Sequence, residues 1–268
     1  MQSLSRQGEV DALVEGYGQV IVDECHHVGA VSFDAILKRT KAKFVLGLTA
    51  TPIRRDGQQP IIFMQCGPIR HMAAKPAGAP RDLEVVPHSR HDKIAVAADA
   101  GIQDVFRYLA NDAARTAAIA AEVRSAIGQG RKVLVLTERT EHLDAIKAEL
   151  DGLVPAPFLL HGRMSRKQRA ALVAELDALP RDVPRVLLST GKLVGEGFDH
   201  PPLYTLVLAM PVSWKGTLQQ YAGRLHREHA SKTDVRIIDF VDTGHPALLR
   251  MWDKRQRGYR AMGYRILE

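Results

Sequence analysis

The sequence has little cysteine and no long hydrophobic run. Cys25 and Cys66 are the only two cysteines in 268 residues, which excludes a disulfide-stabilised secreted scaffold and fits a reducing cytoplasm. No apolar run approaches the ~18 residues that would cross a membrane. The polar start, Met1 to Glu9, lacks the apolar core of a signal peptide. We therefore expect a cytoplasmic protein without a membrane partner.

The sequence also lacks a phosphate-binding loop. No G-x-x-x-x-G-K-[ST] pattern occurs anywhere in it. A nucleotide site built from this chain alone would therefore have no phosphate cradle of that type.

The composition is that of an ordinary globular protein with a basic excess. Hydrophobic residues make up 46% and charged residues 25%, and the net charge of +7 is spread along the chain. This charge is compatible with binding to a nucleic-acid backbone, but a mildly basic soluble protein accounts for it equally well.

Short apolar strands alternate with helical stretches, which predicts an α/β fold. In the first region we expect strands at Val20–Val22 and Phe44–Leu48, with a short helix between them at Ser32–Lys38. These are too few elements for a complete sheet. The small, Pro/Gly-rich stretch Ala73–Pro80 indicates a linker or an exposed loop. We place a partial domain at 1–75, a linker at 76–103 and a complete domain at 104–268.

The second region is more regular, with five buried strands separated by helical patterns. The expected strands are Lys132–Thr137, Phe158–Leu160, Arg185–Ser189, Thr205–Ala209 and Val235–Val241. Ser165 and Gln168 form a capping-box pattern for one of the helices. Five such strands are enough for one parallel sheet with helices on both faces.

Two carboxylates follow the first strand, in Val20-Ile21-Val22-Asp23-Glu24. Ligands of open α/β sheets bind beyond the carboxyl ends of strands, where one carboxylate can hold Mg²⁺ and the other can deprotonate a water molecule. A solvated acidic turn is the alternative. Zinc at Cys25, His26 and His27 is disfavoured, because a closed site needs about four ligands and no second cluster has suitable spacing.

A second pattern, Q-x-x-G-R-x-x-R, lies near the C-terminus at Gln220, Gly223, Arg224 and Arg227. Residues three or four apart share a helix face, so the glutamine and both arginines project together. Two guanidinium groups there can stabilise charge on a γ-phosphoryl group.

Weaker signals follow three of the predicted strands. They are Arg139; the group His161, Gly162 and Arg163; and the group Thr190, Gly197 and Asp199. Glycines allow a backbone to approach phosphate or ribose closely, and arginines bind phosphate. Each of these segments is also compatible with a plain surface turn.

In order and spacing, these patterns resemble the motifs of superfamily 2 DExH helicases, most closely the type III restriction-subunit and XPB-like (RAD25-type) proteins. The stretch VIVDECHH resembles motif II and LGLTATPIRRDG resembles motif III. TERTEHL, STGKLVGEGFD and QQYAGRLHR resemble motifs IV, V and VI. The resemblance covers nearly the whole chain. Arg54-Arg55-Asp56 departs from the Arg-Glu-Asp of XPB-like proteins.

The resemblance implies two RecA-like domains of the P-loop NTPase type, with ATP between them and nucleic acid across both. It assigns Asp23 to Mg²⁺ and Glu24 to activation of the attacking water. It makes His26 a sensor of Gln220, and Arg224 and Arg227 the arginine fingers. Gly197 and Asp199 would contact the nucleotide, and Thr49 and Thr51 would couple its hydrolysis to movement. Thr190 would contact the nucleic-acid backbone. Further candidates for contact with nucleic acid are Arg139, His161, Gly162 and Arg163.

Motif I is missing from this pattern, so we expect the chain to begin midway through the first RecA-like domain. The leading hypothesis is an ATP-dependent helicase or translocase, with DNA favoured over RNA as substrate, that is inactive without a phosphate loop from an upstream segment or another chain. The alternative is a non-catalytic module that binds nucleic acid or a partner. We also expect the first region to be the less stable half, because the strand at Phe44–Leu48 would lose a neighbour.

Overall fold

The computed structural model describes residues 16–25, 36–49, 59–73, 82–180, 182–191, 198, 200–212, 215–226 and 234–268. The chain divides into two compact units, residues 1–75 and 76–268.

The first unit contains a two-stranded parallel sheet. Strand β1 (Gln19–Val22) pairs with β2 (Phe44–Gly47), and Val22 lies opposite Gly47. Both strands were expected. Of the expected helix at Ser32–Lys38, residues 36–38 are described and are helical, and the turn continues to residue 39. Helix α1 (Gln59–Cys66) was not predicted. The described buried core of this unit is formed by Val22, Cys25, Leu37 and Ile62.

The second unit contains a seven-stranded sheet in which every pairing is parallel. Its strands are β3 (Asp82–Arg90), β4 (Lys132–Thr137), β5 (Phe158–Leu160), β6 (Arg185–Thr190), β7 (Thr205–Leu208), β8 (Asp234–Asp242) and β9 (Arg265–Ile266). Their order across the sheet is β5-β6-β4-β7-β8-β3-β9. The α/β class with RecA-like parallel sheets is confirmed.

Six described helices cover this sheet. They are α2 (Ile102–Asn111), α3 (Ala113–Gly128), α4 (Thr140–Glu149), α5 (Arg166–Ala178), α6 (Lys215–Leu225) and α7 (Pro246–Met262). The predicted capping box of α5 is present, because the Ser165 side chain accepts from the backbone of Gln168 and the Gln168 side chain accepts from the backbone of Ser165.

The core lies on both faces of the sheet, and β4 shows why. Leu134 and Leu136 pack into one apolar cluster, whereas Val133 and Val135 pack into a second cluster on the opposite face. Successive side chains of a strand point to opposite faces, so a strand covered by helices on both sides must be apolar at every position.

The prediction of a linker over 76–103 is wrong between Asp82 and Arg90, which form β3. This strand pairs with β8 along its whole length and with β9 at Glu84 and Val85. Pro87 lies inside this strand, where proline has no N–H to donate to a neighbouring strand. The proline is tolerated because its nitrogen points toward the β9 side of the strand, as the carbonyl of Val85 does when it accepts from Leu267 N–H at 2.8 Å. Strand β9 ends before it reaches Pro87, so no hydrogen-bond partner there is lost.

Charged side chains link the start of α3 to the ends of β7, β8 and β3. The fully buried Arg115 donates through Nε to both carboxylate oxygens of Asp242, at 3.2 and 3.1 Å, and through Nη1 to the carbonyl of Ala209 at 2.6 Å. Arg90, at the end of β3, donates to Asp112 Oδ2 at 3.1 Å. With β3 and β9 added to it, the sheet has seven strands and not the expected five.

No helix among the described residues is both long and apolar enough to span a membrane.

Candidate nucleotide and nucleic-acid sites

The two acids of the first unit lie in a tight turn directly after β1. Glu24 has a φ of 50°, in the left-handed region that non-glycine residues seldom occupy. The backbone N–H of Glu24 donates to Asp23 Oδ1 at 2.9 Å, which helps hold this turn. Strained backbone of this kind tends to occur at functional sites, where the surrounding structure enforces it.

Backbone hydrogen bonds fix this turn against the end of β2. Leu48 N–H donates to the carbonyl of Val22, and Cys25 N–H donates to the carbonyl of Leu48, both at 2.9 Å. Thr49 follows directly. Asp23, Glu24 and Thr49 therefore share the carboxyl edge of the first sheet, as their positions in the sequence predicted.

Asp23 fits a magnesium ion that keeps most of its water or phosphate ligands. Its side chain is exposed. No group of three or more His, Cys, Asp or Glu among the described residues is arranged to hold a metal by itself. Mg²⁺ commonly binds through one or two carboxylates together with substrate phosphates, so a single strand-end aspartate is a suitable ligand.

Both cysteines lie beside this turn. Cys25 is buried, and Cys66 lies at the end of α1. Burial, followed by the neighbouring Cys66, raises the pKa of the Cys25 thiol to about 11. Cys25 is therefore a neutral thiol at neutral pH, which suits packing rather than metal binding or nucleophilic chemistry.

In the second unit, the predicted nucleic-acid contacts follow three adjacent strands. Thr190 ends β6 and lies opposite Thr137 of β4. His161, Gly162 and Arg163 follow β5, which pairs with the other side of β6. The structure thus brings these residues to one edge of the second sheet, with Gly162 and Arg163 exposed.

Arg139, after β4, is partly engaged elsewhere. Its Nη2 donates to the carbonyl and to the side-chain oxygen of Gln103, at 3.0 and 3.2 Å. The side chain is therefore directed toward the start of α2. His161 is partly buried, and its Nδ1 has no hydrogen-bond partner among the described residues.

Helix α6 carries the described part of the arginine pattern, Gln220 and Arg224. Its buried face consists of Leu218, Tyr221, Ala222 and Leu225. Gln220 and Arg224, four residues apart, are partly exposed, so the same helical period that buries the apolar residues leaves this pair accessible.

Five predicted site residues lie outside the described part of the chain. They are His26, Thr51, Gly197, Asp199 and Arg227.

Sequence reasoning missed one contact between the predicted motifs. The Tyr221 hydroxyl donates to Glu138 Oε1 at 3.2 Å, beside the buried Gly191. Local patterns carry no signal for such a contact, because the three residues are distant in the sequence and meet only through strand order.

Comparison with known families matches each unit separately. The model described as "Type III restriction enzyme, res subunit" matches residues 1–54, and "Helicase conserved C-terminal domain" matches residues 115–229. L396 of Acanthamoeba polyphaga mimivirus, which carries the name of an ATP-dependent RNA helicase, is 22% identical over 99% of this chain and 51% of its own length. The chain spans about half the length of the curated relatives it matches.

Solved structures share the fold. A fragment of a type I restriction-enzyme HsdR subunit from Vibrio vulnificus YJ016 is 21% identical, with a TM-score of 0.64 over 93% of this chain and 47% of that one. Dbp5 from S. cerevisiae, bound to RNA and ADP BeF3, is 13% identical, with a TM-score of 0.62 over 97% of this chain and 63% of that one. Motif-bearing strand ends lie in both units, the first unit matches a restriction-enzyme subunit and the second a helicase C-terminal domain, and the chain belongs to the superfamily 2 helicases.

Proposed function

We propose that this chain is part of an ATP-dependent helicase or translocase of the DExH type. The observation that carries the proposal is the turn after β1. There Glu24 is held in a left-handed conformation, and Asp23 is exposed beside the end of β2. Residues held in this region cost on the order of 1–3 kcal/mol each and cluster at functional sites.

The acids and arginines have separate roles in ATP hydrolysis. Asp23 binds Mg²⁺, and Glu24 orients the attacking water and accepts its proton. Arg224 and Arg227 stabilise negative charge on the γ-phosphoryl group, and Gln220 contacts it beside them. ATP supplies the phosphoryl group and the free energy of its transfer. His26, Gly197 and Asp199 contact the nucleotide, and Thr49 and Thr51 couple its hydrolysis to movement.

The edge formed by the ends of β5, β6 and β4 binds the nucleic-acid backbone. Thr190 and Arg163 donate hydrogen bonds to phosphate, and Gly162 allows close approach. His161 and Arg139 flank this path. DNA is favoured over RNA, because the first unit matches a restriction-enzyme subunit, although L396 is named as an RNA helicase and Dbp5 was solved with RNA. The free cysteines suit a cytoplasmic protein.

A second candidate function is a non-catalytic nucleic-acid-binding or partner-binding module. The exposed Gly162 and Arg163 at the end of β5 favour it, because contacts with phosphate there need no nucleotide. Under the leading proposal, ATP hydrolysis requires a phosphate loop from an upstream segment or another chain.

The test is ATP hydrolysis by the purified chain with and without single-stranded DNA or RNA, alone and after addition of a polypeptide that carries the missing motif I. Glu24→Gln keeps the size of the side chain and one acceptor oxygen but cannot accept the proton. We expect stimulated turnover only with the added polypeptide, and its loss in Glu24→Gln.

Binding of a labelled oligonucleotide at increasing salt separates the two candidates. Salt-sensitive binding without turnover in any mixture would favour the binding module. Turnover that is equal in wild type and Glu24→Gln would contradict the role given to Glu24.

A further inference from the structure

Three segments of the second unit meet at one contact that none of the proposed roles uses. Tyr221 lies on α6, Glu138 follows β4 and Gly191 follows β6. The Tyr221 hydroxyl donates to Glu138 Oε1 at 3.2 Å. This contact joins the helix that carries Arg224 to the strand end that precedes Arg139.

Gly191 packs directly against this hydrogen bond. A β-carbon built at Gly191 would lie less than 3.0 Å from both the Tyr221 hydroxyl oxygen and Glu138 Oε1. No larger residue fits unless the tyrosine or the carboxylate moves. The chain directly after Thr190 is thus in van der Waals contact with the same pair.

The chemistry of the pair keeps the contact formed. Tyr221 is 4% exposed. Burial, and then the negative charge of Glu138, raise the pKa of the Tyr221 hydroxyl, so it remains a donor throughout the physiological range. Glu138 is exposed and supplies an acceptor at the edge of the sheet.

We propose that Glu138 is a positioning residue. Through Tyr221 it holds α6 against the ends of β4 and β6, so that the orientation of Arg224 and the placement of Thr190 depend on each other. This inference rests on the proposed function, in which Thr190 contacts nucleic acid and Arg224 contacts the nucleotide.

Charge alone predicts the opposite effect of removing Glu138. A carboxylate beside a phosphate-binding edge repels the ligand, so its removal should tighten nucleic-acid binding. If Glu138 acts by positioning, its removal weakens binding even though the edge becomes more positive. The sign of the change therefore separates the two explanations.

The experiment compares the full-length wild type with Glu138→Ala, Glu138→Gln and Tyr221→Phe. Tyr204→Phe is the matched control, since it also loses one hydroxyl, which donates to the Gly130 carbonyl at 3.2 Å at the opposite edge of the sheet. Fluorescence anisotropy with a labelled single-stranded oligonucleotide measures affinity. We expect roughly 2- to 10-fold weaker binding in Glu138→Ala and Tyr221→Phe, the range that corresponds to one hydrogen bond.

Two further comparisons distinguish positioning from general destabilisation. Glu138→Gln keeps a side-chain oxygen acceptor and loses only the charge, so it should bind at least as tightly as wild type does. The double variant of Glu138→Ala with Tyr221→Phe should bind no more weakly than either single variant. Tyr204→Phe should leave affinity unchanged. Tighter binding in both Glu138 variants, or equal binding in all variants, would overturn the proposal.

Hydrogen exchange tests the positioning without any ligand. Amides of 215–225 and 186–190 should exchange faster in Glu138→Ala and Tyr221→Phe than in wild type or Tyr204→Phe. Unchanged exchange there overturns the inference whatever the oligonucleotide does. If the wild type binds no oligonucleotide, the proposed nucleic-acid site fails, and the exchange data alone decide whether Glu138 positions α6.

Discussion

At the scale of single residues, His142 is a buried titratable group on α4, in contact with the last residue of β4. The side chain is fully buried, and its Nδ1 lies 3.0 Å from Thr137 Oγ1. Burial, and then the positive charge of Arg115, lower the pKa of His142 to about 3. The imidazole is therefore neutral in the folded protein at neutral pH.

This shift predicts a loss of stability in mild acid. An unfolded histidine binds a proton below a pH of about 6.5, whereas folded His142 does so only near 3. As the pH falls through this window, the unfolded state gains protons that the folded state does not. The free energy of unfolding should then fall by at most ~1.4 kcal/mol per pH unit from this residue.

Urea unfolding followed by circular dichroism between pH 7 and pH 4 measures the effect. His142→Gln should have a smaller pH dependence than wild type, because glutamine does not titrate. Equal pH dependence in wild type and His142→Gln would show that this histidine is not the titrating group.

At the scale of secondary-structure elements, Gly47 determines how closely β2 approaches its neighbours. A β-carbon built at Gly47 would lie 2.9 Å from Cys25 Sγ, 2.9 Å from Cys66 Cβ and 3.0 Å from Cys66 Sγ. These atoms belong to the turn after β1 and to the end of α1. The absence of a side chain at Gly47 thus allows three elements to pack together.

Gly47→Ala should destabilise the first unit by about 1–3 kcal/mol, the usual cost of overpacking. The buried Cys25 thiol reports the opening of this unit, because a maleimide reaches it only after local unfolding. Its labelling, followed by mass spectrometry, should accelerate roughly 5- to 150-fold. Gly18→Ala is the control, since nothing lies within 4 Å of a β-carbon there. Equal labelling rates in the two variants would contradict the packing argument.

Elements with strong local patterns were predictable from sequence, and those that depend on tertiary partners were not. The run at Lys132–Thr137 and the Ser165–Gln168 capping box appear as expected. Strand β3 was missed because it follows the Pro/Gly-rich stretch that was assigned to the linker, and its place in the sheet depends on pairing with the distant β8 and β9. The contact of Tyr221 with Glu138 was missed because it depends on how strands separated in sequence are ordered in the sheet.

At the scale of the whole molecule, the two units differ in the core that holds them together. The described core of the first unit is one small cluster beside a two-stranded sheet, with Ile21, Phe44, Leu46 and Leu48 between 43% and 60% exposed. The second unit has three apolar clusters around seven strands. Buried apolar surface is the main stabilising term in folding, so the first unit should be the less stable one.

The full-length chain should therefore unfold in two steps in urea. Both cysteines lie in the first unit, so their labelling reports that unit alone, whereas most of the far-ultraviolet circular dichroism arises from the second. We expect Cys25 to become reactive at a lower urea concentration than the midpoint of the circular dichroism change. Hydrogen exchange should likewise be faster in β1 and β2 than in β4 and β7. Coincident transitions would mean that the two units unfold together.

If the proposed phosphate-loop polypeptide completes the first sheet, its addition should move the urea midpoint of Cys25 labelling to a higher concentration by mass action, and it should leave the circular dichroism midpoint of the second unit unchanged.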